Sequence, residues 1–144
     1  MKNHPKYKMI SQYYKGCNTQ NAALMISTFT GDVIHYFVDH SAIIGAEGLA
    51  NYWCKVAPLT KASWTIDHIL IKGEEAVIEW SMRWKPASEK KYELLRGTEW
   101  FILRENRIAE IRSYHCNFFR SDRANCQLHD FDYSGRGYSV LSRG

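Results

Sequence analysis

Hydrophobic residues near the start of the chain recur every three or four positions, the spacing of one helix face. Pro5 favours a helix start, and Thr19 can cap a second helix. Gly45 precedes a third helix, which is expected to end before Pro58. The predicted helices run from Pro5 to Asn18, from Gln20 to Phe29 and from Ala46 to Val56.

From Ala62 onward, runs of β-branched and aromatic residues alternate with short polar turns, which indicates strands. The predicted strands, including an earlier one, are Val33 to Val38, Trp64 to Lys72, Ala76 to Lys85, Leu94 to Leu103 and Ile108 to Cys116. Helices followed by an antiparallel meander indicate an α+β domain. The length of 144 residues fits a single domain over residues 1–144. Within it, residues 118–144 form a C-terminal extension anchored by Phe131, Tyr133 and Tyr138.

The last predicted strand has two faces of different character. One face carries Ile108, Glu110, Arg112, Tyr114 and Cys116, and the other carries Ala109, Ile111, Ser113 and His115. An acid, a base, a phenol and a thiol on one face are typical of the wall of a half-polar pocket. We therefore expect the first face to line a pocket, and His115 to point away from Cys116.

These strands resemble a known family. The pattern Arg96-Gly97-x-Glu99-Trp100-Phe101, then Arg107-Ile108-x-Glu110-x-Arg112-x-Tyr114, is similar to the last two strands of the SnoaL-like branch of the NTF2-like superfamily. Asp32-Val33, Gly45-Ala46 and Arg136-Gly137-Tyr138 also agree, and the resemblance covers about Lys6 to Asn117. It implies a cone, in which a curved antiparallel sheet wraps around N-terminal helices and encloses a pocket for a small hydrophobic metabolite. It also implies a homodimer formed through the sheet.

Composition and charge narrow the possible function classes. The chain is 45% hydrophobic and 14% aromatic, which favours a globular protein. The net charge of +4 is scattered, whereas nucleic-acid binding needs a denser basic face. No membrane span and no secretory signal are recognised, so a cytoplasmic protein is expected. The four cysteines form no CxxC pair and the histidines have no ligand spacing, so neither a metal site nor a cofactor is predicted.

The residues that could carry chemistry are chosen partly by the resemblance. In SnoaL-like cyclases and related hydrolases, the acid or base stands on the last strand, where this chain has Cys116. A thiol with a pKa of ~8.5 is a poor general base near neutral pH. The predicted base is therefore His35 or Glu99, with Arg112 and Tyr114 as partners for a substrate oxyanion. The alternatives are a small buried Cys116, a hydrogen-bonded wall histidine and a cross-strand salt bridge.

Aromatic side chains are numerous enough to line a cavity for a flat ligand, although some will be core or dimer interface. His68 is added because it shares a predicted strand face with apolar residues. The predicted substrate-binding residues are Tyr14, Trp53, His68, Trp80, Trp100 and Cys116.

The leading functional prediction is proton-transfer chemistry without a cofactor. The reaction would be a cyclisation, isomerisation, dehydration or epoxide opening of a hydrophobic metabolite, in secondary metabolism. The alternatives are a non-catalytic protein that binds a small ligand and a protein-interaction module. An open, polar-lined cavity would favour an enzyme or a ligand-binding protein, and a collapsed cavity would favour the interaction module.

Overall fold

The computed structural model describes residues 1–85, 90–115, 128–138 and 140, and it confirms the predicted α+β class. The described residues form three helices and a single sheet of six strands; two helices precede the first strand and the third lies between the second and third strands. The elements are α1 (Pro5–Thr19), α2 (Ala22–Thr28), β1 (Phe29–Tyr36), β2 (Ile43–Ile44), α3 (Ala46–Thr60), β3 (Ser63–Lys72), β4 (Glu75–Trp84), β5 (Glu93–Arg104) and β6 (Arg107–His115).

The sheet has the strand order β2-β1-β6-β5-β4-β3, in which β1 runs parallel to β6 and the other neighbours are antiparallel. The helices pack against its inner face. Their buried side chains, such as Ile10, Met25 and Leu49, form one core with Phe101 and Ile111 of the sheet. None of the helices within the described residues is long and apolar enough to cross a membrane.

The helix boundaries differ from the predictions at three points. Asn21, not Thr19, caps α2, because its side chain accepts a hydrogen bond of 3.0 Å from Leu24 N. Strand β1 begins at Phe29, where the second helix was expected to continue. Helix α3 continues through Pro58 to Thr60. Pro58 is exposed and lies in the last turn of the helix.

A bulge in β3 corrects the predicted position of His68. The pairing of β3 with β4 shifts between Ile66 and His68, so the alternation of faces is interrupted there. Trp64 and Ile69 are buried, whereas His68 and Leu70 are exposed. His68 therefore does not share an inward face with Trp64, and it forms a surface pair with Glu79 at 3.4 Å.

From Glu110 onward, strand β6 presents the opposite face to the core from the one that was predicted, whereas Ile108 of the predicted face is buried. Ile111 and Ser113 are buried on the inner side, whereas the Arg112 side chain reaches Tyr138 on the outer side. The outer side of the sheet also holds a second apolar cluster, in which Tyr36 and Val38 pack against Leu128 and Phe131.

The rings of Phe131, Tyr133 and Tyr138 contact one another, with centroids 4.8–5.5 Å apart. Because Phe131 also packs against Tyr36 of β1, this part of the C-terminal region makes an apolar contact with the sheet. Much of the predicted extension, residues 118–127, 139 and 141–144, lies outside the described residues, so the domain boundary stays a prediction.

Candidate active site

A cavity of about 240 Å³ lies between α3 and the inner face of the sheet. Most of its wall is apolar, and it includes the aromatic rings of Trp53, Trp64, Trp80 and Trp84. Polar side chains interrupt this apolar wall, among them Asp39, Glu99, Ser113 and His115. A concave apolar site with a few convergent polar groups has the composition of a small-molecule pocket.

Glu99 is the buried acid of the cavity, with 4% of its surface exposed. It lies on β5 directly opposite Ser113 of β6, whose hydroxyl donates a hydrogen bond of 3.3 Å to Oε1. The other oxygen, Oε2, is buried without a hydrogen-bond partner among the described residues. Burial raises the pKa of Glu99 to about 7, although nearby Tyr14, Ser113 and His115 offset part of the effect. This carboxyl group can therefore change its protonation state near neutral pH.

Asp39 and His115 form a second polar pair at the cavity. His115 follows Ser113 by two residues and so lies on the same inner face of β6. Asp39 lies just beyond β1, the strand that runs parallel to β6. His115 Nε2 is 3.2 Å from Asp39 Oδ2, and the two side chains are 14% and 32% exposed. The pair therefore places a second carboxyl group and an imidazole at the cavity wall beside Glu99.

The indole of Trp80 lies across the backbone of β5 because residue 97 is a glycine. Trp80 pairs directly with Gly97, and a Cβ atom there would come closer than 3.0 Å to three indole atoms. Trp80 is 3% exposed, and its Nε1 has no hydrogen-bond partner among the described residues. The cavity wall therefore contains a buried N–H donor with no acceptor in the described part of the chain, which costs free energy unless another group, such as a ligand or water, accepts the bond.

The structure brings together some of the predicted site residues. Glu99, Trp53 and Trp80 line the cavity. Tyr14 does not line it but is buried beside Glu99, close enough for each group to affect the pKa of the other. These four residues form a continuous region on the inner side of the sheet.

His35, one of the two predicted bases, is buried and does not line the cavity. It is fully buried and stacks on Phe37, with 3.9 Å between the ring centroids. Its Nδ1 donates a hydrogen bond to the Tyr36 carbonyl at 3.1 Å. Burial lowers the pKa of His35 to about 3, so the imidazole is neutral at ordinary pH. Phe37, not His35, reaches the cavity wall.

Three other predicted residues lie on the outer side of the sheet. Arg112 donates to Glu110 at 2.7 Å and to the Tyr138 hydroxyl at 3.1 Å. Trp100 and Tyr114 line a surface depression with Arg112. The expected oxyanion partners, Arg112 and Tyr114, therefore do not reach the cavity, because alternate residues of β6 point to opposite faces. His68 is exposed, and Cys116 lies outside the described residues.

Asp39, Ser113 and His115 were not identified from the sequence as site residues. The pairing of β5 with β6 would have identified two of them. Ser113 lies directly opposite Glu99, and His115 lies directly opposite Gly97 on the same face of β6. Asp39 lies outside regular structure, so its position depends on the path of a loop. Within the part of the chain that the structure describes, no group of three or more His, Cys, Asp or Glu side chains could hold a metal ion.

Comparison with known proteins identifies the family. The model of the SnoaL-like domain matches residues 10–111. The chain belongs to the SnoaL-like family. None of the curated proteins compared with this SnoaL-like chain matches it significantly. The predicted NTF2-like fold is confirmed, since the similar structures include NTF2-like proteins.

Three solved structures illustrate the similarity of this SnoaL-like protein to others. A protein of unknown function with a cystatin-like fold from Methylobium petroleophilum PM1 is 33% identical, with 97% of this chain and 94% of that chain covered and a TM-score of 0.80. TerC, co-crystallised with polyporic acid, is 12% identical over 78% and 92% of the chains, with a TM-score of 0.69. A putative SnoaL-like polyketide cyclase from Jannaschia sp. CCS1 is 11% identical over 76% and 84%, with a TM-score of 0.66. The last two likenesses concern the fold alone.

Proposed function

We propose that this SnoaL-like protein is an enzyme that moves a proton within a small, flat, hydrophobic molecule, with Glu99 as the acid–base group. The observation that carries the proposal is the position of Glu99: a buried carboxyl group at the wall of an apolar cavity, whose Oε2 accepts no well-formed hydrogen bond from the described residues although the Tyr14 hydroxyl lies near the carboxyl group. A pKa of about 7 suits this role, because such a group both accepts and donates protons near neutral pH.

The proposed reaction has two proton steps. The Glu99 carboxylate takes a proton from an acidic C–H or O–H group of the substrate, and the carboxylic acid returns it to another substrate atom. An isomerisation or a cyclisation needs no other reactant. The His115–Asp39 pair lies at the same cavity, and the charge of His115 partly offsets the effect of burial on the pKa of Glu99.

The cavity wall indicates the kind of ligand. The volume of about 240 Å³ lies just below the usual range for drug-sized molecules, which favours a small substrate. Its described wall includes no Lys or Arg, and it contains the acids Asp39 and Glu99, so a neutral ligand is favoured over an anion. The N–H group of Trp80 would donate to a carbonyl or hydroxyl oxygen, which develops negative charge when a neighbouring proton is removed.

Ligand binding without catalysis is the second candidate, and the aromatic wall of the cavity supports it equally. The open cavity supports both candidates over a protein-interaction module. The homodimer, the cytoplasmic location and the role in secondary metabolism stay predictions from the sequence.

The test compares the native protein with two variants after incubation with a metabolite extract. Glu99→Gln removes the acid, whereas Glu93→Gln changes an exposed glutamate on the same strand. Liquid chromatography with mass spectrometry follows the metabolites, and native mass spectrometry detects bound ones. We expect one compound to be consumed or isomerised by the native protein and by Glu93→Gln, but only to be retained by Glu99→Gln.

Two other results would count against the proposed enzymatic function. A compound that all three proteins bind and return unchanged would support ligand binding alone. If none of the three retains or converts any compound, the result favours a protein-interaction module over both candidates.

A further inference from the structure

The loop that carries Asp39 is held at both ends by consecutive residues of the C-terminal region. This loop, residues 37–42, connects β1 to β2. The backbone N–H of His129 donates a hydrogen bond of 2.8 Å to the carbonyl of Phe37. The side chain of Asp130 accepts a hydrogen bond of 2.8 Å, through Oδ2, from the backbone N–H of Ala42. Asp39 lies between these two attachment points.

The two sides of the segment from residue 36 to residue 39 make different contacts. Tyr36 and Val38 pack against Leu128 and Phe131 on the outer side of the sheet. Phe37 and Asp39, which alternate with them, line the cavity. The C-terminal region therefore contacts one side of the same short segment whose other side places Asp39 at the cavity.

The C-terminal region is in turn fixed to β6 by charge. Arg136 donates two hydrogen bonds to the Glu110 carboxylate, at 2.9 and 3.1 Å, and Arg112 donates a third at 2.7 Å. Burial opposes ionisation of Glu110, but the guanidinium groups outweigh it and hold the pKa of Glu110 below its ordinary value. The Arg136 guanidinium also lies 4.3 Å from the centre of the Phe131 ring. Residues 128–138 are therefore anchored independently of the loop that they hold.

We propose that residues 128–138 act as a clamp that fixes Asp39 against His115, and that Asp130 is the positioning residue of this clamp. The inference rests on the proposed function, because it explains how the second polar pair of the proposed site is kept in place. Asp130 touches neither the cavity nor His115 in the described contacts, so it acts only through the loop.

The variants are chosen so that the backbone of Asp130 is not disturbed. Asp130 has a φ of 63°, in the left-handed region, which Gly and Asn tolerate better than Ala. Asp130→Gly removes the acceptor of the Ala42 hydrogen bond, and Asp130→Asn retains an oxygen that can accept it. Asp132→Ala is the matched control, since Asp132 accepts a hydrogen bond of 2.9 Å from Gly135 within the clamp and not from the loop.

The measurement is the proton resonance of the His115 Nε2–H group in nitrogen-15-labelled protein, assigned by its loss in a His115→Gln variant. An N–H held by a carboxylate exchanges slowly and resonates downfield. We expect this signal in the native protein, in Asp130→Asn and in Asp132→Ala. In Asp130→Gly we expect it to disappear or to move upfield, while thermal unfolding shows that the protein stays folded.

Three results would overturn the clamp. These are an unchanged signal in Asp130→Gly, an equal loss in Asp132→Ala, and no such signal in the native protein, since Asp39 would then not be fixed. The experiment uses no substrate, so failure of the clamp leaves the role of Glu99 in proton transfer to be judged separately by turnover.

Discussion

Replacing Glu99 with glutamine is expected to change how the stability of the protein depends on pH. Glutamine has nearly the shape of glutamic acid, and its amide oxygen can still accept the hydrogen bond that Ser113 donates. It cannot ionise. The difference in free energy of unfolding between the variant and the native protein therefore isolates the ionisation of one buried carboxyl group.

The size and sign of the effect follow from the pKa of Glu99. Burial raises this pKa from 4.5 to about 7. Below pH 4.5 the group is protonated in the folded and unfolded states, so it has no pH-dependent effect. As the pH rises from 4.5 to 7, the unfolded chain releases a proton that the folded protein retains, and the native protein loses stability. The full loss above pH 7 is about 3 kcal/mol, at ~1.4 kcal/mol for each pKa unit.

Urea unfolding at a series of pH values from about 4 to 8 measures this difference. The curve of the native protein alone is insufficient, because His35 has the opposite effect: its pKa is lowered by burial from 6.5 to about 3, so it reduces stability as the pH falls below 6.5. Subtracting the native curve from the Glu99→Gln curve removes this contribution. Glu93→Gln, on the same strand but exposed, is the control.

We expect Glu99→Gln to gain stability relative to the native protein by about 3 kcal/mol between pH 4 and pH 8. Parallel curves for the two proteins would refute the reasoning, because they would show that Glu99 ionises equally easily in the folded and unfolded states. A difference of the same size in Glu93→Gln would refute it as well.

Three further predictions concern the residues around the site. Gly97→Ala should displace the Trp80 indole and destabilise the protein by about 1–3 kcal/mol in thermal unfolding. Gly31→Ala is the control and should not destabilise the protein in this way, because nothing lies within 4 Å of the added atom. Equal losses of stability in the two variants would contradict the close packing of Trp80 on Gly97. His35→Phe should make stability fall less steeply as the pH drops below 6.5, and an unchanged slope in urea unfolding would count against a buried neutral imidazole. Arg112→Gln should leave the affinity of cavity ligands unchanged in a tryptophan fluorescence titration, since Arg112 faces the other side of the sheet. A tenfold loss of affinity would contradict this placement.

The strands could be predicted because their signals are local, and the fold family could be predicted from a resemblance that extends over most of the chain. Runs such as residues 33–38 and 94–103 have β-branched and aromatic residues that fit a pleated, half-buried surface. Glu99 could be selected for a similar reason, since an acid within an apolar strand needs an explanation. The position of Gly97 opposite Trp80, by contrast, depends on the register between two strands, which the sequence does not contain.

The choice of face was the main limit of prediction from the sequence. Alternation divides β6 into two faces, but it does not say which one meets the helices. Glu110 and Arg112 resemble pocket residues, yet they bind Arg136 and Tyr138 from a distant part of the chain. The bulge in β3 had the same effect on His68, because one extra residue reverses the alternation after it.

The most direct test of Glu99 as a proton-transfer group is hydrogen exchange in a bound ketone. Small flat ketones are first screened for quenching of the cavity tryptophans, so that only ligands that bind are used. Proton NMR in D₂O then follows the replacement by deuterium of hydrogens next to the carbonyl, with the native protein, Glu93→Gln and Glu99→Gln. We expect the first two to accelerate the exchange and Glu99→Gln to give the rate of the ketone alone. Exchange that is no faster with the native protein than with Glu99→Gln, for ketones that bind both, would contradict the proposed role of Glu99.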